Sequence, residues 1–226
     1  MIDTRLRWAL VLALLASSGW GLPGPQAGYA AQPMAQVRVA HVAPGVAPLT
    51  VFIDGVAVLG ELPFGEVSAY VPVLPGARAL AARAEGAPPE LTVFDAAVPL
   101  APGGVYTVLA LSAPPGAEPL VLDDTPVGAP GVAQVRFVHA SPNAPAVDIA
   151  IPGLPPLFAG VEFGTVTPYA EVQPGVVTIE ARLAGTPQLV ADIPGLALAP
   201  GGAYTLVAIG LLGGAPPLGI LTIPGA

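Results

Sequence analysis

Short apolar runs alternating with polar positions recur along this chain, separated by clusters of glycine and proline. The run 177–183 shows the pattern most plainly. Val177, Ile179, Ala181 and Leu183 share one face, and Thr178, Glu180 and Arg182 share the other. Successive strand side chains point to opposite faces, so this spacing predicts a half-buried β-strand with a polar outer side. A matching strand runs through Leu80 and Ala82, with Arg83 in the place of Arg182. Further strands are predicted near 36–42, 49–54, 66–73, 90–95, 104–112 and 118–122. A second set is predicted near 134–140, 147–151, 165–172, 188–193, 202–211 and 217–223. No window outside the N-terminal segment carries a helical stripe. Roughly six to eight short strands in each half, about ten residues apart, predict an all-β sandwich.

The pattern is written twice, about 98 positions apart. Ala35-Gln36-Val37-Arg38 returns as Ala133-Gln134-Val135-Arg136, and His41 as His139. Phe64-Gly65, Tyr70 and Pro75-Gly76 return as Phe163-Gly164, Tyr169 and Pro174-Gly175. So long a period is a duplicated domain rather than a solenoid repeat. Two sandwich domains are therefore expected at residues 35–123 and 133–224, with a linker over 124–132. The linker is short and stiffened by Pro126 and Pro130, which predicts copies placed end to end with limited freedom. Its acidic pair, Asp123-Asp124, reads as solvated, with calcium ligation as the alternative.

One motif refines the class. Leu100-Ala101-Pro102-Gly103-Gly104-Val105-Tyr106-Thr107 returns as Leu198 to Thr205 and resembles the tyrosine corner of fibronectin type III and other immunoglobulin-like sandwiches. The resemblance implies two tandem immunoglobulin- or fibronectin-III-like domains. In such a corner the Tyr106 and Tyr204 hydroxyls would bond back to the preceding turn. The strands that follow are apolar on both faces (Val108 to Leu111, Leu206 to Ile209) and read as central and buried.

Composition changes the picture at three points. Gly 28 and Pro 30 approach the range of disordered chains, but 54% hydrophobic and 10% charged residues supply ample apolar area for a core. Arg5 and Arg7 precede an apolar stretch from Trp8 to Ala16 and the small-residue site Gly28-Tyr29-Ala30. That is the layout of a signal peptide over residues 1–30, too short for a permanent span, so no stable membrane span is expected after cleavage. An extracytoplasmic location follows, periplasmic, cell-surface or secreted. Cys 0 removes thiol catalysis, thiolate zinc sites and haem attachment. Loss of Asp3, Arg5 and Arg7 takes the 7 basic side chains to five and the 15 acidic ones to fourteen, with no lysine. So acidic a surface argues against nucleic acid as a partner.

Candidate chemistry is sparse. His41 and His139 end the duplicated first strands and share a face with their larger apolar residues, which predicts packed, hydrogen-bonded histidines. A hairpin centred on Asn143-Ala144 would set Asp148 opposite His139, and such a pair could orient an imidazole for metal binding or base catalysis. Against it, the counterpart of Asp148 is Thr50, and Asp148 alternates with Val147, Ile149 and Ile151, so pairing and burial patterns disagree unless a bulge intervenes. His41, His139 and Asp148 are the metal-ligand candidates; no cofactor is expected. Ser68, Ser112 and Ser141 lie in no Gly-x-Ser-x-Gly elbow and beside no plausible base.

The stretch Val135 to Asp148 resembles the opening motif of domain-of-unknown-function family 4397, and Phe163-Gly164, Tyr169, Pro174-Gly175 and the Gly-Gly-x-Tyr-Thr corner resemble its later landmarks. The first copy departs at Gly45 and at Thr50, where the family usually has Asp. The resemblance implies tandem copies of an exported, β-rich domain and no known activity. The leading expectation is a non-enzymatic binding module for an extracytoplasmic protein or glycan, contacting it through the loops at 43–48 and 141–146. The alternatives are a metal-binding protein or metal-dependent enzyme using His139 and Asp148, and a self-associating structural component of the envelope.

Overall fold

The computed structural model describes residues 32–88, 91–111, 119–125 and 130–226. The leader at 1–30, linker residues 126–129 and Ser112 lie outside the described residues. Among the described residues, sixteen strands form four sheets of four. In the first repeat these are β1 (Ala35–His41), β2 (Leu49–Ile53), β3 (Val56–Leu62), β4 (Val71–Val73), β5 (Gly76–Ala84), β6 (Thr92–Leu100), β7 (Val105–Ala110) and β8 (Leu120–Asp123). In the second they are β9 (Ala133–His139), β10 (Val147–Ala150), β11 (Phe158–Val161), β12 (Ala170–Val172), β13 (Gly175–Leu183), β14 (Leu189–Leu198), β15 (Ala203–Ile209) and β16 (Gly219–Pro224).

Both repeats use one strand order. Sheets β4-β1-β7-β8 and β3-β2-β5-β6 make the first, and β12-β9-β15-β16 and β11-β10-β13-β14 make the second. Within each, the first and seventh strands run parallel, with Val37 beside Tyr106 and Val135 beside Tyr204. All other strand pairs are antiparallel. The two sheets of a repeat close over its own core. Phe94, Leu49, Leu80 and Val39 are fully buried in the first repeat, and Phe137, Ile149, Ile179 and Leu206 in the second.

The tyrosine corner forms in both repeats. Tyr106 accepts a hydrogen bond from the Ala101 amide at 3.0 Å, and Tyr204 accepts one from the Ala199 amide at 2.8 Å. Each ring folds back across its own turn, leaving no room for a side chain beneath it. A Cβ on Gly104 would meet the Tyr106 hydroxyl at 2.5 Å, and one on Gly202 would meet Tyr204 at 2.9 Å. Gly104→Ala is therefore expected to displace the ring and break the corner bond, costing about 1–3 kcal/mol in urea unfolding. Gly202→Ala, with the looser approach, is expected to cost less.

The copies do not sit end to end. β1, β7 and β8 turn their second face onto the second faces of β9, β15 and β16. Ala40, Val42, Leu109, Leu111 and Leu122 pack there with Val138, Ala140, Val207 and Ile223 in one shared apolar cluster. Every one of these side chains is at most 7% exposed, so this seam is as dry as either core. Stiffness of the linker gave no information about what the outer strand faces would bury.

Candidate functional site

A charged cluster closes one end of the seam. Arg38 on β1 and Arg136 on β9 are counterparts, and both reach across to the other repeat. Arg38 Nη2 donates to the Pro224 carbonyl at 2.7 Å, and Arg136 Nη1 donates to the Asp123 carbonyl at 2.9 Å. Their Nε atoms donate to Thr107 and Thr205, each at 2.8 Å. Asp124 sits between them with its side chain 1% exposed. Its Oδ2 accepts from Arg38 at 3.1 Å and from Tyr70 at 3.2 Å, and also from Thr107; its Oδ1 accepts from Arg136. The Arg38 guanidinium stacks 4.5 Å above the Tyr70 ring, and that of Arg136 lies 4.8 Å above Tyr169. Burial, with the Asp124 carboxylate behind it, pushes the Tyr70 phenol up to about 12.

Asp124 is thus no solvated linker residue. Asp124 and Gly225 hold the same position, each donating its amide at 2.7 Å to the strand before it, through Val105 and Ala203. One carboxylate therefore serves two symmetry-related arginines, where the sequence reads as a solvated or calcium-ligating pair. The legible signal was an arginine duplicated on a strand whose partner strand is apolar on both faces.

The two histidines lie at the other end of the seam. Gly65 donates to the His41 carbonyl and approaches the Ile209 side chain, whose neighbour Ala208 pairs with His139. Both histidine ends therefore face the same way. Each imidazole is fully buried. His41 Nε2 lies 3.3 Å from the Ala47 carbonyl, and His139 Nε2 lies 3.1 Å from the Pro145 carbonyl. A proton on Nε2 lets each ring donate to its loop and hold it against the strand. Phe64 and Phe163 meet the rings edge-on at 5.9 and 6.3 Å between centroids.

Loops 43–48 and 141–146 are thereby pinned from below while Gly45, Ala47, Pro142, Asn143 and Pro145 stay exposed. In the second repeat Asn143 also clamps the loop after β15, accepting from the Leu212 amide at 2.9 Å and donating to its carbonyl at 3.1 Å. Ser141 is buried and donates to the Gly210 carbonyl at 2.7 Å. Ser68 accepts from the Val39 amide and donates to the Ala69 carbonyl, so both described serines brace backbone.

The candidate His139–Asp148 pair is not made, since the His139 Nε2 and the Asp148 carboxylate each bond backbone instead. The loop after β9 carries the chain into the other sheet, where Asp148 lies opposite Arg182 of β13. Its carboxylate accepts from the Gly160 amide at 2.7 Å and the Gly185 amide at 2.9 Å, fixing two turns. His41, His139 and Asp148 thus hold four separate pieces of backbone. Among the described residues no group of three His, Asp or Glu side chains is placed to hold a metal ion. No helix among them is long and apolar enough to cross a membrane.

Burial lowers the pKa of both histidines below the usual 6.5, against smaller opposing effects of their backbone bonds. The unfolded chain therefore binds protons that the native one refuses. Stability is expected to be complete above pH 6.5 and to fall as pH drops through the lowered native values, by up to about 1.4 kcal/mol per pH unit for each histidine. Urea midpoints measured from pH 8 to 5 should show this slope, and His41→Gln with His139→Gln should flatten it.

No curated protein matches the chain. A family model described as "Domain of unknown function (DUF4397)" matches residues 35–150 of the 226, running through the whole first repeat and into β10 of the second. That span carries β1 with its anchoring His41, the Tyr106 corner, Asp124 and the loop pinned by His139. The chain belongs to the DUF4397 family.

Proposed function

We propose that this protein is an exported, non-catalytic binding module that presents the histidine-pinned loops of both repeats to an extracytoplasmic protein or glycan. The observation that carries this reading is the use made of the two histidines. Each is spent on holding a loop carbonyl, and the loop tips above them are left free and face the same way. Loops fixed by buried anchors lose little freedom on binding, which favours recognition. The basic-then-apolar segment over residues 1–30 supports export through a cleaved leader. We read residues 133–224 as a second copy of the family domain, because strand order, corner and anchored histidine all recur.

The test is an array of the mature chain against glycans, peptidoglycan fragments and secreted proteins, run beside general hydrolase and oxidoreductase assays. A saturable partner is expected, and Ala47→Glu with Pro142→Glu should weaken it about tenfold or more without lowering Tm. Turnover of a substrate, or binding indifferent to those two charges, would contradict the reading.

A further inference from the structure

The duplication supplies an internal control for a cleft at the opposite end of the second repeat. There β9 begins, β12 ends and β13 starts. Val132, Ile151, Leu154, Leu157, Val172 and Val177 line a cleft of about 430 Å³ between the two sheets. Leu154 stands 55% exposed at its mouth. Glu171 and Gln173 form its polar rim. That volume falls within the range of small-molecule sites, which are typically apolar with a few polar groups for orientation.

The first repeat closes the same place with an ion pair. Gly76 and Gly175 pair with Leu100 and Leu198, so Arg78 and Val177 hold one position. Asp54 follows Ile53 at the end of β2, Pro152 follows Ile151 just past β10, and each precedes a glycine. Arg78 lies across the end of its sandwich, donating to the carbonyls of Leu74 at 2.9 Å and Pro75 at 2.8 Å. It also pairs with Asp54 at 3.3 Å. In the second repeat both partners of this staple are gone. Pro72 pairs with Gln36 where Glu171 pairs with Gln134, so the second repeat also gains a carboxylate at the rim. Its loop 152–157 supplies Leu154 and Leu157 in place of the Asp54-Gly55 turn.

We infer that this cleft binds a small amphiphile with an aliphatic chain and a cationic, amine-type head. The chain lies on the six aliphatic side chains, and the head faces Glu171. Val177 in the place of Arg78 removes both the plug and the charge that would repel such a head. The formal net charge of −8 favours the same sign of ligand. This site is separate from the histidine-pinned loops and does not depend on their role.

The test is calorimetric titration of the mature chain with n-alkylamines from butyl to octyl, and with the n-alkanoates of the same lengths. Affinity for the amines should rise about fourfold per methylene until the cleft is filled. It should exceed that for the carboxylates by up to about fivefold, the worth of one exposed ion pair. Glu171→Gln should erase this preference and keep the chain-length dependence. Val177→Arg with Pro152→Asp, which installs the staple of the first repeat, should abolish binding. Methyl NMR of the unaltered chain needs no variant: octylamine should shift the Ile151, Leu154, Val172 and Val177 methyls and leave the Ala47 and Ala146 methyls unmoved. No binding by any amine, equal affinity for carboxylates, or shifts elsewhere would overturn the assignment. Insensitivity of amine binding to Ala47→Glu and Pro142→Glu separates its outcome from that of the loop-binding test.

Discussion

Asp124→Ala is expected to destabilise the protein by about 3–5 kcal/mol, because it strips the counter-ion from two buried guanidinium groups at once. Arg38 and Arg136 would keep their threonine and carbonyl acceptors. Each would lose its only carboxylate among the described residues, while both remain dry. Asp124→Asn should fall nearly as far, since shape is preserved but charge is not. Replacing all three together, with Arg38→Met, Arg136→Met and Asp124→Leu, is expected to be far milder than the single change. The desolvation of ions then disappears along with their attraction. Urea midpoints of the four proteins check this ordering. A single variant milder than the triple one would mean that the cluster is hydrated in solution.

Phe137→Ala is expected to cost a similar amount, about 3–5 kcal/mol, by opening a cavity in the second core. Phe137 is fully buried and packs beside Val135, Ile149 and Leu206. Its ring also meets that of His139 edge-on at 6.5 Å between centroids, so its loss loosens the anchor of loop 141–146. The first repeat holds Val39 at the same position, likewise buried. Val39→Ala removes two methyl-sized groups and is expected to cost only about 1–2 kcal/mol. The difference between the two variants measures how far the copies have diverged in packing while keeping one strand order.

Much of the layering was legible because it rests on period-two alternation. β13 buries Ile179 and Ala181 as its pattern requires, and the tyrosine corner forms where its motif lies. The apolar residues on both faces of β7 and β15 announced a second covering layer, but alternation cannot say what the cover is. It is the other repeat. β3 and β11 escaped because their alternation is broken: Glu61 and Gly160 have positive φ, and the register slips along both edge strands. The Asp54-Gly55 turn, with positive φ at both residues, was a readable hairpin signal that the pattern reading passed over.

Burial of the histidines followed from parity on their strands, whereas their acceptors did not. Those acceptors are carbonyls six residues along the chain, placed by loop shape alone. The Asp148 pairing failed for a topological reason. A short Pro-rich loop looks the same whether it returns the chain to its own sheet or passes it to the facing one. Asp124 was illegible because its counterpart, Gly225, has no side chain to compare, and because a residue in a proline-rich linker reads as solvated. The open cleft was likewise hidden, since Arg78 and Val177 differ by a substitution whose meaning depends on Asp54 across the turn.

Fusion of the two repeats into one body through the Asp124 seam is tested most directly by scanning calorimetry of residues 32–226. One transition is expected, with equal calorimetric and van't Hoff enthalpies, because neither sandwich can part from the other without exposing the shared apolar cluster and the paired arginines. Two separable transitions, one for each repeat, would contradict it.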